Sequence, residues 1–327
     1  MNILVTGGAG YIGAHFVNAF LEKNDVNIIV VDNFREGKNN IIKNKKVRYN
    51  NVDLLDYCAL HSIFKKNKID IVVHFAALAS VPDSVVDPQG YYENNIIGGF
   101  NLLKCMNEFN VKKIIFSSSA SVYGEPVKEL IDENHPKVPT NPYGYTKLVF
   151  EQMLVDYNKA YGLNSISFRY FCASGASESL LLGEYHTPET HVIPSLLETA
   201  LGKRERFFVF GDDYNTLDGT GVRDYIHVDD IASAHVVAIK RLFKNDNVCE
   251  VFNLGINKGF SVLQLIEATE KVTNKKINYT IKERRKGDPS SLVADAKRAT
   301  EVLDWKPKYL DIEKIIETAY NSYKKKI

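Results

Sequence analysis

Cysteine is scarce in this sequence: four residues in 327, at positions 58, 105, 172 and 249, with no C-x-x-C and no pairing pattern. That scatter argues against a disulfide framework and against structural zinc, and it fits a reducing compartment. An excess of charge of either sign is also missing. There are 41 Lys+Arg against 40 Asp+Glu, a net charge of +1, so nothing points to a nucleic-acid partner. Lysine groups at 43–46, 65–68 and 324–326 are interrupted or terminal and read as solvated surface. No apolar run reaches membrane-spanning length. The opening "MNILVTGG" runs straight into a strand pattern and leaves no room for a cleavable leader. Internal repeats and low-complexity tracts are absent. A soluble, cytoplasmic, unprocessed protein with no membrane partner and no metal site is the expectation.

What is present is an ordinary globular composition, 45% hydrophobic and 25% charged. The length suits a nucleotide-binding α/β unit with a substrate-binding extension. Short apolar runs recur at 2–6, 27–32, 69–74, 113–116 and 165–171. They lack polar alternation and are separated by amphipathic stretches at 11–21, 99–109, 146–160, 229–243 and 262–272, which show helical periodicity. Strands of this kind between helices indicate a doubly wound parallel sheet covered on both faces. From 172 to about 223 the alternation stops, and "GEYHTPETHVIP" and "GDDYNTLDGTG" read as long loops around one helix at 194–201. A strand pattern returns at 250–255. The expected fold is therefore α/β: a nucleotide-binding domain of 1–171 plus about 223–255, interleaved with a smaller α/β substrate domain of about 172–222 plus 256–327.

"TGGAGYIG" at 6–13 follows the first strand and opens the first helix. Gly7, Gly10 and Gly13 permit a tight turn, close backbone approach to a diphosphate and close helix–sheet packing, while the helix N-terminus offers free N–H groups. About twenty residues on, the second strand ends in Asp32, where a carboxylate suits a ribose diol and repels a 2′-phosphate. That combination favours NAD over NADP.

"NPYGYTK" places Tyr143 and Lys147 four residues apart, on one helical face. Pro142 suits the first turn. A nearby ammonium favours tyrosinate and should lower the phenol pKa toward the working pH of a general acid/base. Tyr320 and Lys324 repeat the spacing in the C-terminal tail and read as surface. Context separates the two pairs, since Tyr143 lies about two dozen residues after "FSSSASVYG" at the end of a strand, where doubly wound sheets bind ligands.

The glycine turn, Asp32, "HFAALASV" at 74–81, "SSSASVYG" at 117–124, Tyr143-x-x-x-Lys147 and "RYF" at 169–171 together resemble the extended short-chain dehydrogenase/reductase family. "ETHVIP", "VFGDDY", "DGTGVRDYIHVDD", "FNLG" and "RRKGDPSSLVAD" narrow the resemblance to its UDP-glucose 4-epimerases, over essentially the whole chain. The resemblance implies tightly held NAD and a UDP-hexose interconverted between the galactose and glucose forms through a 4-keto sugar. Tyr143 would be the base, Lys147 its electrostatic partner and a contact of the nicotinamide ribose, and Ser119 the hydrogen-bonding partner of O4. Asn33, Asp53 and Leu54 would join Asp32 around the adenosine. Tyr11, Ile12, Phe75, Ala76, Ala77, Asn94 and Phe171 would line the rest of the cofactor site. Arg223 and Arg285 would meet the substrate diphosphate. His191, Val192, Phe208, Phe210 and Asp288 would contact uracil, ribose or the pocket wall, with core packing the competing reading of the aromatics.

Two positions depart from the family pattern. Ala79 stands where a lysine near the cofactor phosphate is usual, and Cys172 where an asparagine contacts substrate, so Ser174 would have to compensate or affinity falls. No base accompanies Cys172, which argues against a nucleophilic role. Ala120 and Ser121 replace the carboxylates that dehydratases and decarboxylases of this fold use after C4 oxidation. Leu292 aligns with a gate for N-acetyl groups and is intermediate in bulk, which leaves UDP-N-acetylhexoses and UDP-xylose open as alternatives. A catalytically silent NAD-binding scaffold is the reading from another class. Homodimers pairing two helices per subunit are usual in the family, here around 92–109 and 146–161.

Overall fold

The computed structural model describes residues 1–23, 26–35, 40–177, 182–186, 189–285 and 287–325. In chain order the strands are β1 (Asn2–Thr6), β2 (Asn27–Asp32), β3 (Val47–Asn51), β4 (Ile71–His74), β5 (Lys113–Ser119) and β6 (Asn164–Tyr170), then β7 (Cys172–Ser174), β8 (Phe207–Phe210), β9 (Val222–His227), β10 (Cys249–Leu254), β11 (Gly259–Ser261), β12 (Tyr279–Lys282) and β13 (Ser291–Leu292). Seven of them form one parallel sheet in the order β10-β6-β5-β4-β1-β2-β3.

The apolar runs of β1, β4 and β5 are buried on both faces because each face carries its own core. Ile3 and Val5 of β1 pack with Phe16, Ile231 and Phe252. Leu4, between them, points the other way, to Leu60, Leu102, Phe150 and Leu154. This alternation is the period-two geometry of a strand, and helices cover both sides, as a parallel sheet requires. Helices Tyr11–Lys23 and Val228–Lys244 lie on the first face, and Tyr57–Lys66, Gly98–Glu108 and Pro142–Tyr161 on the second.

The chain leaves β1 for β2 and β3, then crosses back to β4 on the other side. Such a reversal opens a crevice outside the carboxyl ends of the two central strands. Gly7 ends β1 there with φ +69°, and a Cβ on it would come within 2.6 Å of the Ala76 amide nitrogen after β4. Only glycine satisfies both the left-handed backbone and the close approach.

The remaining strands build a second, smaller body. β11, β9 and β13 form a sheet with β7 attached to β9, and β12 pairs with β8. Helices Val192–Ala200, Val262–Thr273 and Ile312–Lys324 pack with them around Leu196, Leu197, Leu265, Ile315 and Ile316. The stretch expected to be loops with one helix therefore holds β7, β8 and the start of β9, and its helix begins two residues earlier than periodicity suggested. Strands of three or four residues are too short to declare a period. β9 sits in the small sheet, and the chain rejoins the large one through Val228–Lys244 and β10.

Candidate active site

Between the carboxyl ends of the large sheet and the smaller body lies a cavity of about 660 Å³. With the exception of Lys147, all the residues put forward from the sequence line it, from the glycine turn to Leu292.

At one end the Asp32 carboxylate accepts N–H bonds from Ala9 (3.0 Å) and Phe34 (2.8 Å). Burial pushes its pKa above the usual carboxylate range, and the two amides work against that shift. Asn33 donates to Asp53 at 2.9 Å, so two neighbouring carboxylates are held in place at the end of β2. Tyr11, the first residue of the first helix, donates its hydroxyl to the Gly175 carbonyl at 2.6 Å and ties the turn to the smaller body. Asn94 lies on a π-helical turn, Glu93–Ile97, and donates to Asn95, whose amide oxygen also accepts the Leu78 N–H. Such turns are frequent at functional sites. Sequence periodicity does not announce this one.

The middle of the cavity is built by β5 and helix Pro142–Tyr161. Asn141 caps that helix by accepting the Gly144 N–H, and Pro142 occupies its first turn. Tyr143 is thereby set at the cavity wall beside Ser119, both lining the cavity. Ser119 Oγ accepts the Ser121 N–H at 3.1 Å. Burial pushes the Tyr143 phenol up to about 12, with the Ser119 hydroxyl acting in the opposite direction. The expected lowering by Lys147 is not what this chain produces. Lys147 sits behind the wall, its Nζ 5.6 Å from the Tyr143 ring centroid and donating to the Ser117 carbonyl at 2.7 Å. Burial pulls its ammonium down to about 7, against the Glu151 carboxylate, which favours the charge.

That carboxylate belongs to a buried network that the sequence did not reveal. Glu151 pairs with both Nε and Nη2 of Arg169 at 2.9 and 2.6 Å and accepts the Ser118 hydroxyl at 2.5 Å. Arg169 Nη1 donates to Tyr123, which donates to Asn253. Removing one member of such a pair costs about 3–5 kcal/mol, because the other charge is left buried alone. The three adjacent serines thus divide: Ser117 offers its carbonyl to Lys147, Ser118 its hydroxyl to Glu151, and Ser119 faces the cavity.

The far end is charged and aromatic. Arg223 donates to the Val222 and Pro289 carbonyls at 2.8 Å each, with Asp288 at 3.8 Å. Arg285 stacks over Phe210 at 3.9 Å and Lys282 over Phe208 at 3.7 Å. β8 alternates: Phe207 and Val209 are buried in the core, while Phe208 and Phe210 are the less buried pair. This corrects the competing core-packing reading for the latter two. Burial pushes the Cys172 thiol up to about 12, which works against the thiolate a nucleophile would need. Ser174 lines the cavity beside Cys172 but is buried, with its hydroxyl donated to the Ile226 carbonyl at 3.2 Å. His191 lies against Glu184 (3.0 Å) and Glu189 (3.2 Å). Burial would lower its pKa, but the two carboxylates outweigh it and hold the imidazole well above its ordinary value. Sequence reasoning missed Glu184, His186 and Glu189 on this wall, although "GEYHTPETH" spaces two acids and two histidines closely enough to have been noticed.

Residues 3–255 match the NAD dependent epimerase/dehydratase family. The chain is 49% identical over 324 residues to a UDP-glucose 4-epimerase of Halalkalibacterium halodurans, covering 99% of this chain and 96% of that one. It is similar to a solved UDP-glucose 4-epimerase from Bifidobacterium longum in complex with NAD+ and UDP, with a TM-score of 0.95, 41% identity and coverage of 99% and 98%. The UDP-Glc/GlcNAc 4-epimerase of Campylobacter jejuni is similar at a TM-score of 0.85 and 40% identity, covering 99% of both chains. With a Rossmann-type sheet, its glycine turn at the crevice and a Ser–Tyr pair on the cavity wall, the chain belongs to the NAD dependent epimerase/dehydratase family.

Proposed function

We propose that this chain is an NAD-dependent C4 epimerase that interconverts UDP-galactose and UDP-glucose through a transient 4-keto sugar. The observation that carries the reading is that Ser119 and Tyr143, with Lys147 behind them, line a single cavity running from the glycine turn to Arg223 and Arg285. Bound NAD supplies the hydride acceptor and donor. The chain's own residues orient the sugar and handle the proton. Ser119 holds O4, Tyr143 takes the O4 proton and gives it back, and Lys147 stands behind the wall with its charge 5.6 Å from the Tyr143 ring. The glycine turn, Asp32, Asn33, Asp53 and Asn94 hold the cofactor. Arg223 and Arg285 hold the diphosphate, and Phe208, Phe210, Val192 and His191 the nucleoside.

The segment expected from about 223 opens with β9, which belongs to the smaller body and carries Arg223, so in this division of labour 1–171 plus about 228–255 carries the cofactor, and about 172–227 plus 256–327 carries the UDP-sugar. Ala120 is buried and has no proton to exchange, and Ser121 beside it has no carboxylate, which favours return of the hydride over dehydration. A homodimer is proposed through helices Gly98–Glu108 and Pro142–Tyr161. In support, Phe100 (46%), Tyr145 (43%) and Val149 (40%) keep large apolar side chains exposed on them. A cytoplasmic setting is proposed from the four free, scattered cysteines. Among the described residues no helix is long and apolar enough to cross a membrane.

The test is to incubate purified protein, without added NAD, with UDP-galactose, UDP-N-acetylgalactosamine and UDP-xylose. Conversion of UDP-galactose to UDP-glucose is expected. Retained NAD with no epimerisation of any of the three would leave the silent scaffold.

A further inference from the structure

Immediately before helix Val192–Ala200, four side chains with no part in the proton handling converge at the cavity, His191 among them being also proposed to wall the nucleoside. Glu184, His186, Glu189 and His191 each offer one ligand atom, and these four atoms lie within 4.8 Å of one another. His191 Nδ1 is 3.0 Å from Glu184 Oε1 and 3.2 Å from Glu189 Oε1. His186 Nδ1 is 3.7 Å from Glu184 Oε1 and 3.6 Å from Glu189 Oε2.

Both carboxylates are nearly sealed from solvent, their side chains 8% and 2% exposed. Two buried negative charges demand compensation. Glu189 accepts the Thr190 and His191 N–H groups at 2.9 Å each, but the two imidazoles balance both charges only if both are protonated, and then two like charges face each other with ring centroids 5.0 Å apart. One divalent cation compensates both carboxylates and leaves both rings neutral. The distances are compatible with such an ion. Ligands at about 2.0–2.1 Å around a tetrahedral ion stand roughly 3.3–3.4 Å from one another. The nitrogen–oxygen separations run from 3.0 to 3.7 Å around that value, with His186 and His191 meeting different oxygens of Glu189, and a set with one atom from each residue lies within 4.8 Å. The backbone of both acids is also anchored from outside the cluster: Tyr323 donates to the Glu184 carbonyl at 3.1 Å, and Arg204 to the Glu189 carbonyl at 2.8 Å. Outer supports of this kind are what hold metal ligands in place.

The geometry points to a divalent-metal site formed by Glu184, His186, Glu189 and His191, suited to a borderline ion such as Zn²⁺ or Co²⁺ that accepts imidazole nitrogen. Hard ions such as Mg²⁺ and Ca²⁺ prefer all-oxygen sets and octahedral or higher coordination. The scarcity of cysteine argues against thiolate zinc sites and has no bearing on a His₂Glu₂ site. The ion would pin the segment leading into His191 and Val192, the residues proposed to wall the nucleoside. This goes beyond the epimerase reading and is tested apart from it.

Tag-free protein stripped with a chelator and titrated with Co²⁺ is expected to bind one equivalent and to develop visible d–d absorption, with Zn²⁺ displacing it. His186→Ala combined with His191→Ala should weaken Co²⁺ binding by about tenfold or more. Both side chains are partly exposed, at 24% and 47%, and His186→Ala alone provides a milder variant should the double one lose its fold. No stoichiometric uptake of Co²⁺ or Zn²⁺ by wild type, or equal uptake by wild type and either folded variant, would overturn the site. Because uptake is read optically, failure there alongside intact UDP-galactose turnover removes the metal and leaves the epimerase reading standing.

Discussion

The two walls of the cavity are built on different principles. One stands on the long strands β1, β4 and β5 and on the capped helix Pro142–Tyr161, and its working groups are serine and tyrosine hydroxyls and backbone amides. Around its hydroxyls the charges are withdrawn, Lys147 donating to a carbonyl behind the wall and Glu151 and Arg169 satisfying each other, while Asp32 and Asp53 stay at the cofactor end. The other wall is assembled from short strands and connecting segments and carries its charges at the surface of the cavity, Arg223, Arg285, Asp288, Glu184 and His191 among them. A wall that handles a proton needs pKa values shifted by burial, and a wall that grips a diphosphate needs fixed charge. The comparison predicts that damage to the first wall shows in turnover and stability, and damage to the second in substrate affinity and choice.

The largest effect should come from Tyr143→Phe. It removes the phenol hydroxyl that lines the cavity beside Ser119 and little volume, so kcat for UDP-galactose is expected to fall by about 10³, within the range for loss of a general acid/base. NAD should stay bound, as its fluorescence in the reduced form would report. Near-normal turnover would break the assignment of proton handling to this wall.

Next comes the pH response of the same wall. His235 is fully buried among the rings of Phe16, Phe75, Phe168 and Tyr170, and Phe75 lines the cavity. Burial pulls its imidazole down to about 4, with the bond to the Ile231 carbonyl opposing. The folded pKa lies below the unfolded value near 6.5, so between those two values the unfolded chain binds more protons and stability falls as pH drops. That window amounts to about 3 kcal/mol. Urea unfolding at pH 7 and pH 4 should show His235→Gln losing less stability on acidification than wild type by about this amount. Equal losses would show that the wall does not depend on a neutral histidine.

The same division explains what could be read in advance. Gly7, Gly10, Gly13, Asp32, Ser119 and Tyr143 were legible because each sits at a fixed spacing from the end of a long apolar strand. The edge strand β3, with the mixed sequence VRYNN and no buried residue, gave no apolar run to find. On the second wall, β7, β8 and β13 have three, four and two residues, too few to show a period of two, and only resemblance to a family pointed to Phe208, Phe210 and Leu292. The Glu151–Arg169 pair was illegible for another reason: it joins a helix to β6 across 18 residues, and nothing in spacing marks two charges as partners in a core. Lys147 was found, but its neighbourhood was misjudged, because the burial that lowers its pKa is a property of packing rather than of sequence interval.

On the second wall, Arg285→Ala should raise KM for UDP-galactose roughly 30-fold with kcat nearly unchanged, the loss expected for charge-assisted hydrogen bonds to phosphate. A fall in kcat of similar size would place Arg285 with the proton-handling residues instead and blur the contrast between the walls.

The smallest effect tests where the walls meet. Leu292 lines the cavity, pairs in register with Arg223 and packs against Ala120, Val122, Tyr123 and Phe171, so its side chain touches both walls. Leu292→Tyr should narrow the range toward UDP-glucose and UDP-galactose, and Leu292→Gly should widen it toward N-acetylated sugars, shifting the ratio of kcat/KM values by about five- to tenfold, the lower part of what one apolar pocket contact discriminates. The glycine variant also empties part of a buried cluster and should be less stable by about 2–5 kcal/mol. A ratio between two substrates measured on the same preparation is insensitive to how much of that preparation is folded, so the two consequences separate. Unchanged ratios in both variants would mean that Leu292 serves the packing between the walls and that substrate choice is set elsewhere on the second one.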